Sequence, residues 1–233
     1  MGIQLREGII SSATPLTETA KEVIVTLKEG LECPAGSFVN LFLEVNGIQV
    51  RRAYSPVSCD AKARTITFAI RRSLNGTVTT EFWKEGIVGR GVRIMGPMGL
   101  NTSDKLTKNT LFLCGYGIGA GVIKAMLDSA LEKDFITNIV VITGSRNEDD
   151  IIYKDYFDTM AQTHAHVSVR YVISNPKDAT YPFVGYVQQH IDDYDFNDSD
   201  IYMCGQGNAC DAPTETIKSK NPQNITCFTE AFH

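Results

Sequence analysis

The alternation of apolar and polar positions changes character near residue 100. Before it, short runs rich in β-branched and aromatic residues lie at 21–27, 37–45, 48–55, 65–71 and 91–96, each bounded by turn formers. The 65–71 run alternates strictly, as a half-buried strand does, and Asn46-Gly47 is a tight-turn signal between two of the others. Strands this short, punctuated this often, predict a small antiparallel barrel. After Gly99 the pattern predicts strands at 111–114, 138–143, 167–173, 200–204 and 224–228. Helical spacing at 119–132, 153–160, 186–191 and 209–218 separates them. Strands alternating with helices predict parallel β-α-β units with helices on both faces of the sheet. The polar stretch 101–109 has linker character. The expected architecture is two domains, an antiparallel β-barrel over 1–100 and a doubly wound parallel α/β sheet over 108–233.

Composition narrows the classes. The chain has 233 residues, 43% of them hydrophobic and 21% charged, which suits an ordinary globular protein with two cores. A net charge of −5 leaves no basic surplus to neutralise phosphates, so nucleic acid is not an expected partner. The start lacks the apolar core of a signal peptide, and no apolar run approaches the roughly 20 residues of a membrane span. The six cysteines contain no Cys-x-x-Cys pair, and the four histidines have no ligand spacing to acids or cysteines. No metal site is therefore expected, and the compartment expected is the cytoplasm.

Candidate chemistry lies at the ends of predicted strands. Gly115, Gly117 and Gly119 stand at alternate positions between a buried-type strand and a helical stretch. Free N–H groups at such a helix start can meet a diphosphate, and glycine lets backbone and ligand approach closely. A ligand-free strand-to-helix turn would look similar. Arg52 and Tyr54 fall on one face of a strand, followed by Ser55: a phosphate partner, a ring for a flat ligand and a hydroxyl donor, or ordinary edge-strand residues. Arg71 and Arg72 precede Asn75-Gly76, Thr77 and Thr79, where a turn with positive φ and a short helix through Trp83 would make a second diphosphate cradle, or a solvated hairpin tip. Gly96-Pro97-Met98-Gly99 reads as a turn leaving the barrel. Ser145 and Arg146 follow the second strand of the α/β half, where an arginine accommodates a 2′-phosphate and an acid selects the free ribose. Cys204 and Gly205 close another strand at its carboxyl end, where open α/β sheets bind ligands. Glu230 is a candidate for proton handling.

Taken in order, Arg52-x-Tyr54-Ser55, Gly76-x-x-Thr79, Gly96-Pro-x-Gly99, Gly115-x-Gly117-Ile118-Gly119, Gly144-x-Arg146 and Cys204-Gly205 resemble the ferredoxin–NADP reductase superfamily over nearly the whole chain. The resemblance implies a flavin-binding barrel and a pyridine-nucleotide domain, with FAD and NAD(P)H as cofactors. It implies that Arg52 meets the flavin phosphates, Tyr54 packs on the flavin and Ser55 bonds the N5 region. Gly76, Thr77 and Thr79, with Arg71 nearby, would cradle the FAD diphosphate. Gly115, Gly117 and Gly119 would line the NAD(P) diphosphate, and Ser145 and Arg146 would meet the adenosine side. Cys204 and Gly205 would lie beside the nicotinamide, and Glu230 and Phe232 near the flavin ring. Ser55, Cys204 and Glu230 are thus the catalytic candidates. Two stretches depart from the family pattern: Gly119-Ala120 stand where Ala-Pro is usual, and Gln206 to Cys210 stand where prolines and then a methionine often follow. The activity implied is hydride transfer from NAD(P)H to FAD, with electrons passed to a separate acceptor such as a ferredoxin or flavodoxin. A reductase of free flavin and an electron-relay subunit of a larger complex are the alternatives.

Overall fold

The computed structural model describes residues 3–73 and 76–232. They form two compact units that meet in sequence between Asp104 and Lys105.

The first unit is a seven-stranded antiparallel sheet: β1 (Gln4–Pro15), β2 (Ala20–Leu27), β3 (Phe38–Val45), β4 (Ile48–Tyr54), β5 (Ser58–Asp60), β6 (Thr65–Arg71) and β7 (Gly91–Met98). Their order across the sheet is β4-β3-β7-β1-β2-β6-β5. Alternation does what it should. Val23, Val25 and Leu27 of β2, Leu41 and Leu43 of β3, and Ile66, Phe68 and Ile70 of β6 share one core. The sheet is curled enough for Tyr54 of β4 to touch Phe68 of β6, with ring centroids 5.9 Å apart, although four strands separate them.

Two strands lie outside the sequence prediction. β1 is central, paired with both β2 and β7, yet it presents Leu5 and Ile9 outward and buries Gly8 and Ile10. A Cβ on Gly8 would stand 2.6 Å from the Thr26 carbonyl oxygen, so inward position 8 carries no side chain and the buried apolar period begins at Ile10. β5 has only three residues, too few to show a period. A third difference is that β7 runs on through Gly96 and Pro97 to Met98, so the Gly96–Gly99 turn expected there begins only after Met98. Gly96 is needed because a Cβ would sit 2.6 Å from a methyl of Val39.

The second unit is a five-stranded, wholly parallel sheet: β8 (Thr110–Tyr116), β9 (Asn138–Ser145), β10 (Val167–Ile173), β11 (Ser199–Gln206) and β12 (Thr226–Phe232), in the order β10-β9-β8-β11-β12. Its helices are α1 (Ala120–Leu131), α2 (Lys154–Thr163) and α3 (Asp211–Ser219). Phe112 and Cys114 face one side, packed with Ile217 of α3 and with Val187, Ile191 and Phe196 of a long connection. Gly115 faces the other side, where α1 crosses the sheet; α2 lies alongside α1, the Tyr156 hydroxyl donating to Asp128. The helix expected at 186–191 is instead a single 3-10 turn, Val187–Gln189. Pro182 and Gly185, at φ +121°, interrupt the preceding backbone, so the apolar residues are buried one at a time. Arg170 of β10 holds this connection in place. Its guanidinium lies 4.7 Å from both the Phe183 and Tyr194 rings and makes two bonds to the Asp193 carboxylate.

At the amino end of the sheet Asp200, fully buried, accepts the backbone N–H groups of Thr107 (2.6 Å) and Lys108 (2.9 Å). The polar linker is therefore fixed where it enters the second unit.

Candidate functional site

In the parallel sheet, successive connections run outward on one side from β8 to β9 and β10, and on the other side to β11 and β12. The reversal between β8 and β11 is the topological switch point, outside whose strand ends such sheets bind ligands. Both glycine motifs of this half are there. Gly117 has φ +54°, a left-handed conformation that turns the chain from β8 toward α1. A Cβ on Gly119 would fall on the carbonyl oxygen of Cys204 and stand 2.6 Å from its carbonyl carbon. A Cβ on Gly205 would lie 2.7 Å from the Tyr116 Cβ, and one on Gly115 would lie 2.8 Å from the Ala120 Cα. The glycines thus bring the two strand tips together backbone against backbone. Gly119 is the N-cap of α1; no side chain caps the helix and no acid occupies its first turn. A 3-10 turn, Gly117–Gly119, leads into α1 and already takes the Ala120 N–H, and no side chain caps its start at Tyr116. The N–H groups at the start of this turn and the positive end of the helix dipole suit an anion.

Tyr116 is the residue that sequence reasoning passed over. Its ring spans three strand tips, since a Cβ on Gly144 would stand 3.1 Å from its Cδ1 and one on Gly205 2.9 Å from its Cδ2. Its buried hydroxyl lies in the apolar cluster with Cys114, and burial drives the phenol well above its ordinary value. The signal available was an aromatic side chain between two glycines.

Cys204 is fully buried, and burial first, then Cys210 and Glu230, push its thiol well above the usual range. What it presents to Gly119 is its backbone carbonyl. Glu230 and Phe232 are on β12, in register with Cys204 and Gln206 of β11. Cys204 and Glu230 are therefore neighbours at the carboxyl end of the sheet.

Ser145 ends β9 and Arg146 follows it; their carbonyls accept the N–H groups of Ser174 and Asn175. Two of the three nearby acids are engaged. Glu148 accepts the backbone N–H groups of Lys177 (2.9 Å) and Asp178 (3.1 Å), which lower its pKa, and Asp149 pairs with Lys177. The Arg146 side chain is exposed, with no partner among the described residues.

In the first unit Arg52 and Tyr54 share a face of β4, and Ser55 follows directly. Arg52 is exposed and its guanidinium donates to the Arg51 carbonyl at 2.8 Å. Tyr54 packs edge-on to Phe82, centroids 6.4 Å apart, and its buried hydroxyl has no partner among the described residues. Burial raises that phenol, and Arg52 works weakly against the rise. Arg71 is exposed at the end of β6. Beyond it Thr79 opens a 3-10 turn, Thr79–Trp83, not an α-helix. The Thr79 hydroxyl is already bonded to the Ser73 backbone, and a Cβ on Gly76 would fall on that oxygen. Thr77 is exposed; Asn75, the other half of the expected turn, lies outside the described residues, as does His233. Glu81, buried within the 3-10 turn, binds Lys84 at 2.5 Å and Arg90 at 2.7 Å, and both lower its pKa. An uncapped helix start beside a glycine-only contact fits a diphosphate, and an orphaned phenol beside an exposed arginine fits a flavin nucleotide.

Residues 10–102 match the oxidoreductase FAD-binding domain and residues 112–211 the oxidoreductase NAD-binding domain. NADH-cytochrome b5 reductase 1 of Dictyostelium discoideum is 30% identical over 85% of this chain and 71% of its own length. The chain belongs to the ferredoxin–NADP reductase superfamily. Within the superfamily it is also similar to the toluate 1,2-dioxygenase electron transfer component of Pseudomonas putida, 29% identical over 84% of this chain. The chain spans 58% of that relative's length. The fold is that of the ferredoxin reductase in carbazole 1,9a-dioxygenase, with a TM-score of 0.85 at 20% identity, covering 100% of this chain and 70% of the other. Its cofactors are FAD and NAD(P)H. Among the described residues no helix is long and apolar enough to cross a membrane.

Proposed function

We propose that this chain is an NAD(P)H-dependent flavoprotein reductase that moves a hydride from NAD(P)H to FAD and delivers electrons to a separate small carrier, such as a ferredoxin or flavodoxin. The observation that carries the reading is the uncapped start of α1 at the switch point, where Gly119 lies against the Cys204 carbonyl in the half of the chain that matches an NAD-binding domain. When bound, FAD supplies a ring that accepts two electrons and returns them to an acceptor.

Each residue then has a task. The N–H groups after Gly117 hold the nucleotide diphosphate, and Gly115, Gly119 and Gly205 keep side chains out of its way. Arg146, beside Ser145, takes the 2′-phosphate of NADPH; Glu148 and Asp149 are engaged with residues 177–178, which favours this choice over the free ribose. Arg52 takes a flavin phosphate, Tyr54 stacks on the cofactor and gives its hydroxyl a partner, and Ser55 orients the ring by donating a hydrogen bond. Gly76, Thr77 and Thr79 offer backbone groups to the FAD diphosphate, with Arg71 adding positive charge. Cys204 and Gly205 form the wall beside the nicotinamide, while Glu230 and Phe232 at the end of β12 adjust the surroundings of the ring. The name of the Pseudomonas relative supports an acceptor that in turn feeds an oxygenase.

The test is an absorbance spectrum of the purified protein, titrated anaerobically with NADPH and NADH in turn. The reading expects a flavin band that survives gel filtration and bleaches with NADPH at lower concentration than with NADH. A colourless protein that reduces added flavin would move the assignment to a free-flavin reductase. A flavin band that neither nucleotide bleaches would overturn it.

A further inference from the structure

Of the six cysteines, Cys114, Cys204 and Cys210 are buried, and Cys227 is exposed at the start of β12. Burial pushes Cys114 up to about 12 and Cys210 up to about 11, which makes them inert hydrophobes at neutral pH. Cys33 and Cys59 are different. Both are half-buried at the rim of the barrel core, one in the loop before β3 and the other on the short edge strand β5. The two backbones run in contact there: a Cβ on Gly30 would fall on the carbonyl oxygen of Ala61, and the Cys59 thiol donates to the Leu31 carbonyl at 2.8 Å. The thiols themselves share a hydrogen bond. None of these residues belongs to the proposed flavin or nucleotide sites.

We propose that Cys33 and Cys59 are a redox-sensitive dithiol that closes to an intramolecular disulfide when the protein meets hydrogen peroxide. The Gly30–Ala61 contact and the bond from the Cys59 thiol to the carbonyl two residues before Cys33 set the two cysteines on adjacent backbones, and a disulfide needs a Cα separation of roughly 4.4–6.8 Å. The neighbouring Cys33 lowers the Cys59 pKa while burial, Asp60 and Glu32 raise it, and Cys59 raises that of Cys33, so the attack is assigned to Cys59. Ionising Cys59 releases its bond to the Leu31 carbonyl. The Cys59 thiolate attacks one peroxide oxygen, a sulfur–oxygen bond forms, the oxygen–oxygen bond breaks, and hydroxide leaves to become water. The Cys33 sulfur then attacks the sulfenic sulfur; the sulfur–sulfur bond forms and a second water departs with the remaining protons. Two thiols give up two electrons, and one peroxide becomes two waters. The cross-link ties β5, four residues past Ser55, to the loop that enters β3. It thereby stiffens the segment that follows Arg52, Tyr54 and Ser55.

The flavin-loaded full chain, in wild-type and Cys227→Ser forms, is treated with stoichiometric hydrogen peroxide, denatured, alkylated and digested with trypsin. The expected result is that four of the six wild-type thiols are alkylated. Peptides 29–51 and 53–62 should run as one species, two hydrogens lighter than their sum, which a thiol reductant separates. The oxidised protein should also unfold at a higher temperature than the reduced one, a difference that Cys33→Ser abolishes. Alkylation of both Cys33 and Cys59 after treatment, or conversion of Cys59 to sulfinic acid without a cross-linked peptide, would overturn the proposal.

Discussion

The Tyr54 hydroxyl is buried without a partner among the described residues, which by itself costs about 1–3 kcal/mol. If FAD supplies that partner, Tyr54→Phe acts in opposite directions on the two forms. The flavin-free protein should gain stability by about 1 kcal/mol in a urea titration, while FAD binding weakens. Loss of stability in the flavin-free variant would show that the hydroxyl has a partner in the protein itself. Arg52 is exposed and bonded only to the neighbouring Arg51 carbonyl, so Arg52→Ala removes little from the fold. It should weaken FAD retention by about 1.5–3 kcal/mol, the range of a charge-assisted contact, measured by equilibrium dialysis. Unchanged retention would move Arg52 away from the phosphates. Arg146→Ala should raise the KM for NADPH about tenfold or more and leave that for NADH in place. Equal effects on both would remove the 2′-phosphate contact from the account.

At the scale of elements, Glu148 accepts backbone N–H groups from Lys177 and Asp178, and its pKa is lowered from 4.5. A depressed carboxylate stabilises the fold above its unfolded pKa and loses that contribution as pH falls through the folded value. Protection of the Lys177 and Asp178 amides against exchange should therefore be lost as pH falls below the ordinary carboxylate range, and Glu148→Gln should show the reduced protection already at pH 7. Steady exchange in the variant would mean that the loop is held by Lys177 and Asp149. Asp200→Ala leaves the Thr107 and Lys108 N–H groups unpaired, at about 1–3 kcal/mol each, and should appear as a lower unfolding midpoint. Most elements were legible in the sequence because their periods were clean: β6 and β10 have the bounds that alternation predicts. β1 was not legible, since Gly8 leaves one inward position without a side chain, Leu5 and Ile9 point outward and a bulge after Ile10 breaks the period. The 186–191 stretch misled because Val187 and Ile191 are at helical spacing but are buried by a loop that Arg170 clamps.

Across the whole molecule, what the sequence offered was an order of motifs, and order is what distinguishes this superfamily from a chance glycine turn. The Gly115–Gly119 turn and the Cys204-Gly205 pair were each ambiguous, one resembling any tight turn and the other any buried thiol. Only the sheet order, which sets β8 beside β11, shows that they are two halves of one contact. No local pattern could state that, because the pairing spans some ninety residues. The same holds for Tyr116, whose neighbours Gly144 and Gly205 come from two other strands.

Because a carbonyl already occupies the place a side chain at 119 would need, nucleotide preference cannot be re-engineered there. A library randomised at 119 and selected for either coenzyme should return glycine every time, while one randomised at 145 and 146 should diverge with the selection. On the proposed assignment, the variable part of coenzyme choice lies in a two-residue window, set beside a glycine contact that leaves no room for a side chain.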